Sequence, residues 1–136
     1  AAIILEKLEI FDAEIEARQR VANTYSNQIE EAQQNVEPSR QIKTPFIRPE
    51  NISVWAQYTL RLNKRDQMQS ALKLAGIPTT VYYPVPLSRQ KAVGDVNTNM
   101  PVSDLAASEV LSLPMHPALA EPSIRQIVRC LFQRLD

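Results

Sequence analysis

The stretch richest in chemically capable side chains is Tyr82-Tyr83-Pro84-Val85-Pro86-Leu87-Ser88-Arg89-Gln90-Lys91. Two phenols can donate and accept hydrogen bonds, two prolines stiffen the backbone, and Ser88, Arg89, Gln90 and Lys91 add a hydroxyl, an amide and two cations. Read as the end of a strand, its alternation sends Tyr82 and Tyr83 to opposite faces, one into the core and one toward a ligand. Such a rim suits an anionic sugar or a phosphate; an ordinary strand end with a solvated Arg and Lys fits the composition equally well. His116, between Met115 and Pro117, is the only imidazole. A general base needs partners within hydrogen-bond reach, and neither a carboxylate nor a nucleophile lies beside it in the chain, so a structural or exposed role is expected. Cys130, between Arg129 and Leu131, reads as a thiol at the edge of a core.

One His and one Cys cannot supply the four ligands of a structural zinc site, and the lone Cys130 cannot form an internal disulfide. A reducing, cytoplasmic setting is the expectation. Two glycines, Gly76 and Gly94, leave no room for a GxGxxG or Walker-type phosphate loop. Apolar runs of only a few residues predict neither a membrane span nor a signal peptide. Fifteen Lys and Arg balance fifteen Asp and Glu, so bulk charge does not indicate a nucleic-acid binder. The balance is uneven along the chain. Residues 1–37 hold eight acidic and three basic side chains, and the remainder holds twelve basic and seven acidic. A basic second part hints at an anionic ligand or partner.

The elements that must carry these groups follow from periodicity. With 136 residues, 44% of them apolar, one soluble core is expected. All ten prolines and both glycines lie after residue 37, which predicts one long helix over residues 1–34. Its stripe of Ile4, Leu8, Phe11, Ile15, Ala22, Tyr25 and Ile29 is interrupted only by Arg18. A helix of that length outreaches a core of about one hundred residues, so part of it should lean on something outside the chain. Residues 35–52 read as a connector with a short edge strand near Ile42 and Phe46. Alternation over residues 54–62 predicts a strand with Val54, Ala56, Tyr58, Leu60 and Leu62 on one face and Trp55 on the other, that other face being either a second buried side or an interface. Asn63 is the expected cap of a helix that stops at Gly76, with Ile77 folding back near Leu72. Residues 79–83 predict a second strand. Beyond a polar loop around Gly94 lies a short helix over residues 103–111, then an extended stretch at Pro114–Pro117. Ile124, Ile127, Val128, Leu131 and Leu135 mark a final amphipathic helix with Pro122 in its first turn. The fold class is α+β: a small antiparallel or mixed sheet, flanking helices and a long helical arm.

The segments AAIILEKLEIFDAEIEARQRVANTY, SVWAQYTLRL, AGIPTTVYYPVPL and LSLPMHPAL, in this order and spacing, resemble the C-terminal part of the DegT/DnrJ/EryC1/StrS aminotransferases. The resemblance implies the small domain of a fold-type I enzyme, with residues 1–34 a connecting helix, residues 35–136 an α/β sandwich and the large cofactor domain elsewhere. It implies pyridoxal 5′-phosphate as cofactor, a nucleotide-linked keto sugar as substrate, an amino donor such as glutamate, and a cytoplasmic homodimer. The wording is nearest to enzymes that aminate a 3-keto UDP-N-acetyl-uronic acid for surface polysaccharide. None of Lys7, Lys43, Lys64, Lys73 and Lys91 matches the family's Schiff-base lysine, so no catalytic residue is expected here. The segment resembling TVYYPVPL reaches the sugar-nucleotide site in that family, which makes Tyr82 and Tyr83 the leading substrate contacts, with Ser88, Arg89 and Gln90 beside them. Many members carry His where this chain has Ser88. A reading from another class is a non-enzymatic oligomerisation module with helix 1–34 as its dimer seam and a basic anion-binding face.

Overall fold

A computed structural model describes residues 2–92 and 99–133; Gly94 and Leu135 lie outside them. The N-terminal segment forms two helices, α1 (Ala2–Glu9) and α2 (Phe11–Ala32), with a turn at Ile10. The expected single helix is thus interrupted. Ile10 and Phe11, both of modest helix propensity, sit at the break, and α1 buries no residue that could hold the two in line. In α2 the stripe divides: Ala22, Tyr25 and Ile29, joined by Val21, are buried, whereas Ile4, Leu8 and Phe11 are exposed. Arg18, the interruption in the stripe, donates to the Trp55 carbonyl at 3.1 Å and reaches the Met115 carbonyl at 3.5 Å. Its position answers loop carbonyls where an apolar side chain would leave them unpaired.

The sheet consists of β1 (Tyr58–Arg61) and β2 (Val110–Leu113), antiparallel with Tyr58 opposite Leu113 and Arg61 opposite Val110. Single antiparallel bridges extend it, Lys43 onto Arg61 and Thr80 onto Ser112. The edge segment expected near Ile42 is therefore present, with Ile42 buried and Phe46 exposed. Two expectations fail in this sheet. Residues 79–83 contribute only the bridge at Thr80, and residues 110–111, expected at the end of a helix, belong to β2. Val110, Leu111 and Leu113 are apolar enough for either element; pairing with β1 satisfies their backbone and buries Leu111, Ser112 and Leu113 together. The Thr59 and Ser112 hydroxyls pair across the strands at 2.8 Å.

Strand alternation also stops short of its expected start. Trp55 has φ of 48°, a left-handed backbone rare for a bulky residue, and β1 begins only at Tyr58. The face consequently switches: Trp55 is buried, Val54 and Ala56 are exposed. The indole N–H donates to Gln19 Oε1 at 2.8 Å, and the main-chain carbonyl takes the Arg18 contact, so tertiary bonds hold the unusual turn.

Helix α3 (Arg65–Leu74) starts from Lys64, itself left-handed at φ 55° and making no side-chain cap hydrogen bond, so the cap position falls one residue after the expected Asn63. Its stop is the expected one. Gly76 has φ of 75°, the Ile77 N–H donates to the Leu72 carbonyl at 2.9 Å, and Ile77 and Leu72 are both buried. Helix α4 (Pro101–Glu109) runs directly into β2, and α5 (Glu121–Gln133) closes the domain with Ile124, Ile127, Val128 and Leu131 inward. Pro122 sits in its first turn, where a missing N–H costs nothing. The core lies where α2, α3, α5 and the sheet meet, with Tyr25 stacked on Tyr58 at 4.9 Å between ring centres. Cys130 packs at its edge.

Candidate functional site

The tyrosine segment forms one wall of a cavity of about 470 Å³. That wall carries Tyr82, Tyr83, Val85, Pro86, Leu87 and Gln90, and the facing wall carries Ser103, Ala106 and Ala107 of α4 with Val110 of β2. Proline rigidity shapes the first wall, which turns through a short 3₁₀ segment at Leu87–Arg89. Small side chains at helical spacing shape the second and leave the space open. Tyr82 also borders a smaller cavity of about 260 Å³, whose lining includes Thr80, Ser112 and Met115.

Opposite faces for the two tyrosines are not observed. Tyr82 is 44% and Tyr83 70% exposed, and their rings meet edge to face at 5.8 Å. Period-2 alternation needs a strand, and here the pairing ends at Thr80, so nothing drives either ring inward. The buried tyrosines are Tyr25 and Tyr58 instead. The Tyr25 hydroxyl donates to the Pro114 carbonyl at 3.0 Å, and the Tyr58 hydroxyl pairs with Ser26 at 2.8 Å. Burial pushes the Tyr58 phenol up to about 12, against a smaller lowering by the Ser26 bond, and burial beside Tyr58 pushes Tyr25 well above its ordinary value.

The remaining sequence candidates divide. Gln90 lines the cavity beside the tyrosines. The Arg89 guanidinium is taken by Asp104 of α4, Nε to Oδ1 at 3.2 Å and Nη2 to Oδ2 at 2.9 Å. This bond holds the Asp104 carboxyl below the usual carboxylate range. Ser88 Oγ is buried without a hydrogen-bond partner and does not line the cavity. His116 is exposed, and no partner binds its imidazole among the described residues. The α4 wall and Asp104 were not among the sequence candidates. Ser103, Ala106 and Ala107 do carry a trace of it, a run of small residues on one helical face. A second groove of about 560 Å³ between α2 and α5 mixes Glu31 and Glu121 with Arg125 and Arg129, and Arg125 is bound to Glu121 at 2.7 Å. No described helix is long and apolar enough to cross a membrane, and no cluster among the described residues could hold a metal ion.

Fold and cavity together define an α+β domain with a tyrosine-rimmed cleft between a proline-stiffened loop and a helix. Residues 1–132 match the family model of the DegT/DnrJ/EryC1/StrS aminotransferases, and the chain belongs to that family. It is 49% identical over 131 residues to UDP-2-acetamido-2-deoxy-3-oxo-D-glucuronate aminotransferase of Pseudomonas aeruginosa, covering 96% of this chain and 34% of the relative. It is 38% identical over 131 residues to the pleiotropic regulatory protein of Geobacillus stearothermophilus, covering 94% and 34%. Among solved structures, a DegT/DnrJ/EryC1/StrS aminotransferase from Brucella abortus superposes with a TM-score of 0.82 at 35% identity, over 96% of this chain and 33% of that one. DesV of S. venezuelae, in complex with a ketimine intermediate, gives a TM-score of 0.85 at 25% identity, over 99% and 35%. The chain thus spans about a third of the length of the curated relatives it matches.

The family implies pyridoxal phosphate, and the lysines of this chain can be tested against it. A lysine that condenses with a carbonyl must be kept neutral by an apolar pocket or a neighbouring cation. Lys7, Lys43, Lys64, Lys73 and Lys91 are all exposed, and Lys7 is bound to Glu14 at 3.2 Å. None of the five sits in such a pocket among the described residues.

Proposed function

We propose that these 136 residues are the small domain of a longer pyridoxal-phosphate aminotransferase that aminates a nucleotide-linked 3-keto sugar of the N-acetyl-uronic acid type. The observation that carries this reading is the 49% identity to UDP-2-acetamido-2-deoxy-3-oxo-D-glucuronate aminotransferase across 96% of the chain. Pyridoxal phosphate would supply the electron sink of the amino transfer and would be held by the remainder of the protein. The domain's own part is binding. Tyr82, Tyr83 and Gln90 offer two phenols and an amide to the sugar nucleotide, with Ser88 and Arg89 behind them. The donor is an amino acid such as glutamate. The product, an amino sugar still linked to its nucleotide, is an activated glycosyl donor suited to surface polysaccharide assembly.

The exposed apolar side chains of α1 and the start of α2, among them Ile4, Leu8 and Phe11, would then cover another part of the enzyme or a second copy in a homodimer. A free-standing oligomerisation module is not favoured, because the family match runs through the supposed anion-binding face as well as the helices.

Two assays test the reading. The full-length protein should aminate UDP-2-acetamido-2-deoxy-3-oxo-glucuronate with glutamate. The 136-residue chain with pyridoxal phosphate should give neither turnover nor, after borohydride reduction, a stoichiometric lysine adduct. Turnover by the chain alone would overturn the assignment to a small domain.

A further inference from the structure

We propose that Arg89 and Asp104 form a latch that fixes the two walls of the Tyr82–Tyr83 cleft relative to each other, making both of them positioning residues. This rests on reading the cleft as the sugar-nucleotide site. The loop wall has little else to hold it. Its anchorage to the sheet ends at the Thr80–Ser112 bridge, where the two N–H···O bonds are 3.1 and 2.7 Å. Beyond that point its backbone bonds among the described residues are internal, Arg89 N–H to the Pro86 carbonyl at 2.9 Å and Gln90 N–H to the Leu87 carbonyl at 3.1 Å. Among the described residues, the Arg89–Asp104 pair is the only side-chain hydrogen-bonded link from residues 82–90 to another element.

The pair sits where its geometry counts. Arg89 lies between two residues of the loop wall, Leu87 and Gln90, and Asp104 follows Ser103 of the helix wall. Two parallel N–H···O bonds fix orientation as well as distance, which a single contact or a lysine would not. The side chains remain 41% and 33% exposed, so the pair is a surface ion pair that adds little to overall stability. What it sets is the separation of two walls that must both touch one ligand. Misplacing a binding group by about 1 Å can cost up to about a hundredfold in rate.

The test uses the full-length enzyme with Arg89→Gln, Asp104→Asn and the exchanged pair Arg89→Asp with Asp104→Arg. Amide exchange at Arg89 and Gln90 should accelerate in both single variants and slow again in the exchanged pair. The KM for the sugar nucleotide should rise roughly three- to thirtyfold in both singles, recover in the exchange, and leave the donor half-reaction and melting temperature unchanged. Loss of function in Arg89→Gln alone, with Asp104→Asn normal, would mean that Arg89 touches the ligand directly and would overturn the latch. Unchanged amide exchange in both singles would overturn it as well. Tyr82→Phe and Tyr83→Phe separate the latch from the reading beneath it. If neither changes sugar kinetics while Asp104→Asn accelerates amide exchange, the latch exists but serves no sugar site, and the positioning role falls with the functional reading. If a Tyr variant changes sugar kinetics and the latch variants do not, only the latch fails.

Discussion

Two pairs of tyrosines put the same chemistry to different uses. Tyr25 and Tyr58 are wholly buried, stacked at 4.9 Å, and each hydroxyl has a partner. Tyr82 and Tyr83 meet edge to face at 5.8 Å, are largely exposed, and neither hydroxyl has a partner among the described residues. A phenol deep in a fold must find a hydrogen bond there. A phenol left in water keeps its bonding capacity for something that arrives later. The first pair therefore belongs to the energetics of the fold and the second to its surface.

Truncation should separate the two pairs most widely. Tyr25→Ala or Tyr58→Ala should destabilise the domain by about 3–5 kcal/mol, the range for large aromatic truncations in a core. Tyr82→Ala and Tyr83→Ala should stay within about 0.5 kcal/mol in the same denaturant titrations. Equal losses from the two pairs would show that the rim is part of the core.

The N-terminal helices repeat the contrast along one stripe. Leu8 on α1 is 57% exposed and Ile29 on α2 is fully buried. Burying a leucine against a partner is worth about 1.5–3 kcal/mol, so Leu8→Glu should weaken self-association, seen by light scattering over a wide concentration range, without unfolding the domain. Ile29→Glu places an unpaired charge in the core and should unfold it. A domain that is unfolded by Leu8→Glu would mean that α1 is held by its own core after all.

Alkaline pH sharpens the difference. The ordinary tyrosine value is 10.0, whereas in the folded domain Tyr58 is held near 12 and Tyr25 is raised further. Their contribution is therefore complete below about pH 10 and is lost as pH rises above it, up to about 12 for Tyr58 and further for Tyr25, because the unfolded chain ionises where the folded one does not. Stability should fall by about 1.4 kcal/mol per pH unit for each phenol kept protonated. Urea titrations from pH 9 upward check this, and a flat profile to pH 11 would contradict the burial of both.

Legibility in the sequence followed the strength of local signals. Helix α5 and the stop of α3 were legible because apolar spacing and Gly76 leave few alternatives. The apolar run from Val110 to Leu113 was not, since only its pairing with Tyr58–Arg61 decides between helix and strand. Alternation assigns Trp55 to the face opposite Tyr58, whereas its left-handed turn, held by Gln19 and Arg18 more than thirty residues earlier, brings it into the same core. At the site, the odd composition of residues 82–91 marked the loop wall. Nothing local marked Asp104, whose meaning comes from Arg89 fifteen positions earlier, or the small residues of α4, which act by leaving space.

In the proposed function, Tyr82 and Tyr83 meet the sugar nucleotide while the rest of the domain supports them. The direct measurement is of both half-reactions of the full-length enzyme, amino donor and keto sugar, for Tyr82→Phe and Tyr83→Phe. Losing one phenol hydrogen bond removes about 0.5–1.5 kcal/mol. Catalytic efficiency toward the sugar should therefore fall roughly three- to tenfold for at least one variant, with the donor half-reaction nearly unchanged. Equal losses in both half-reactions, or none in either, would contradict the account.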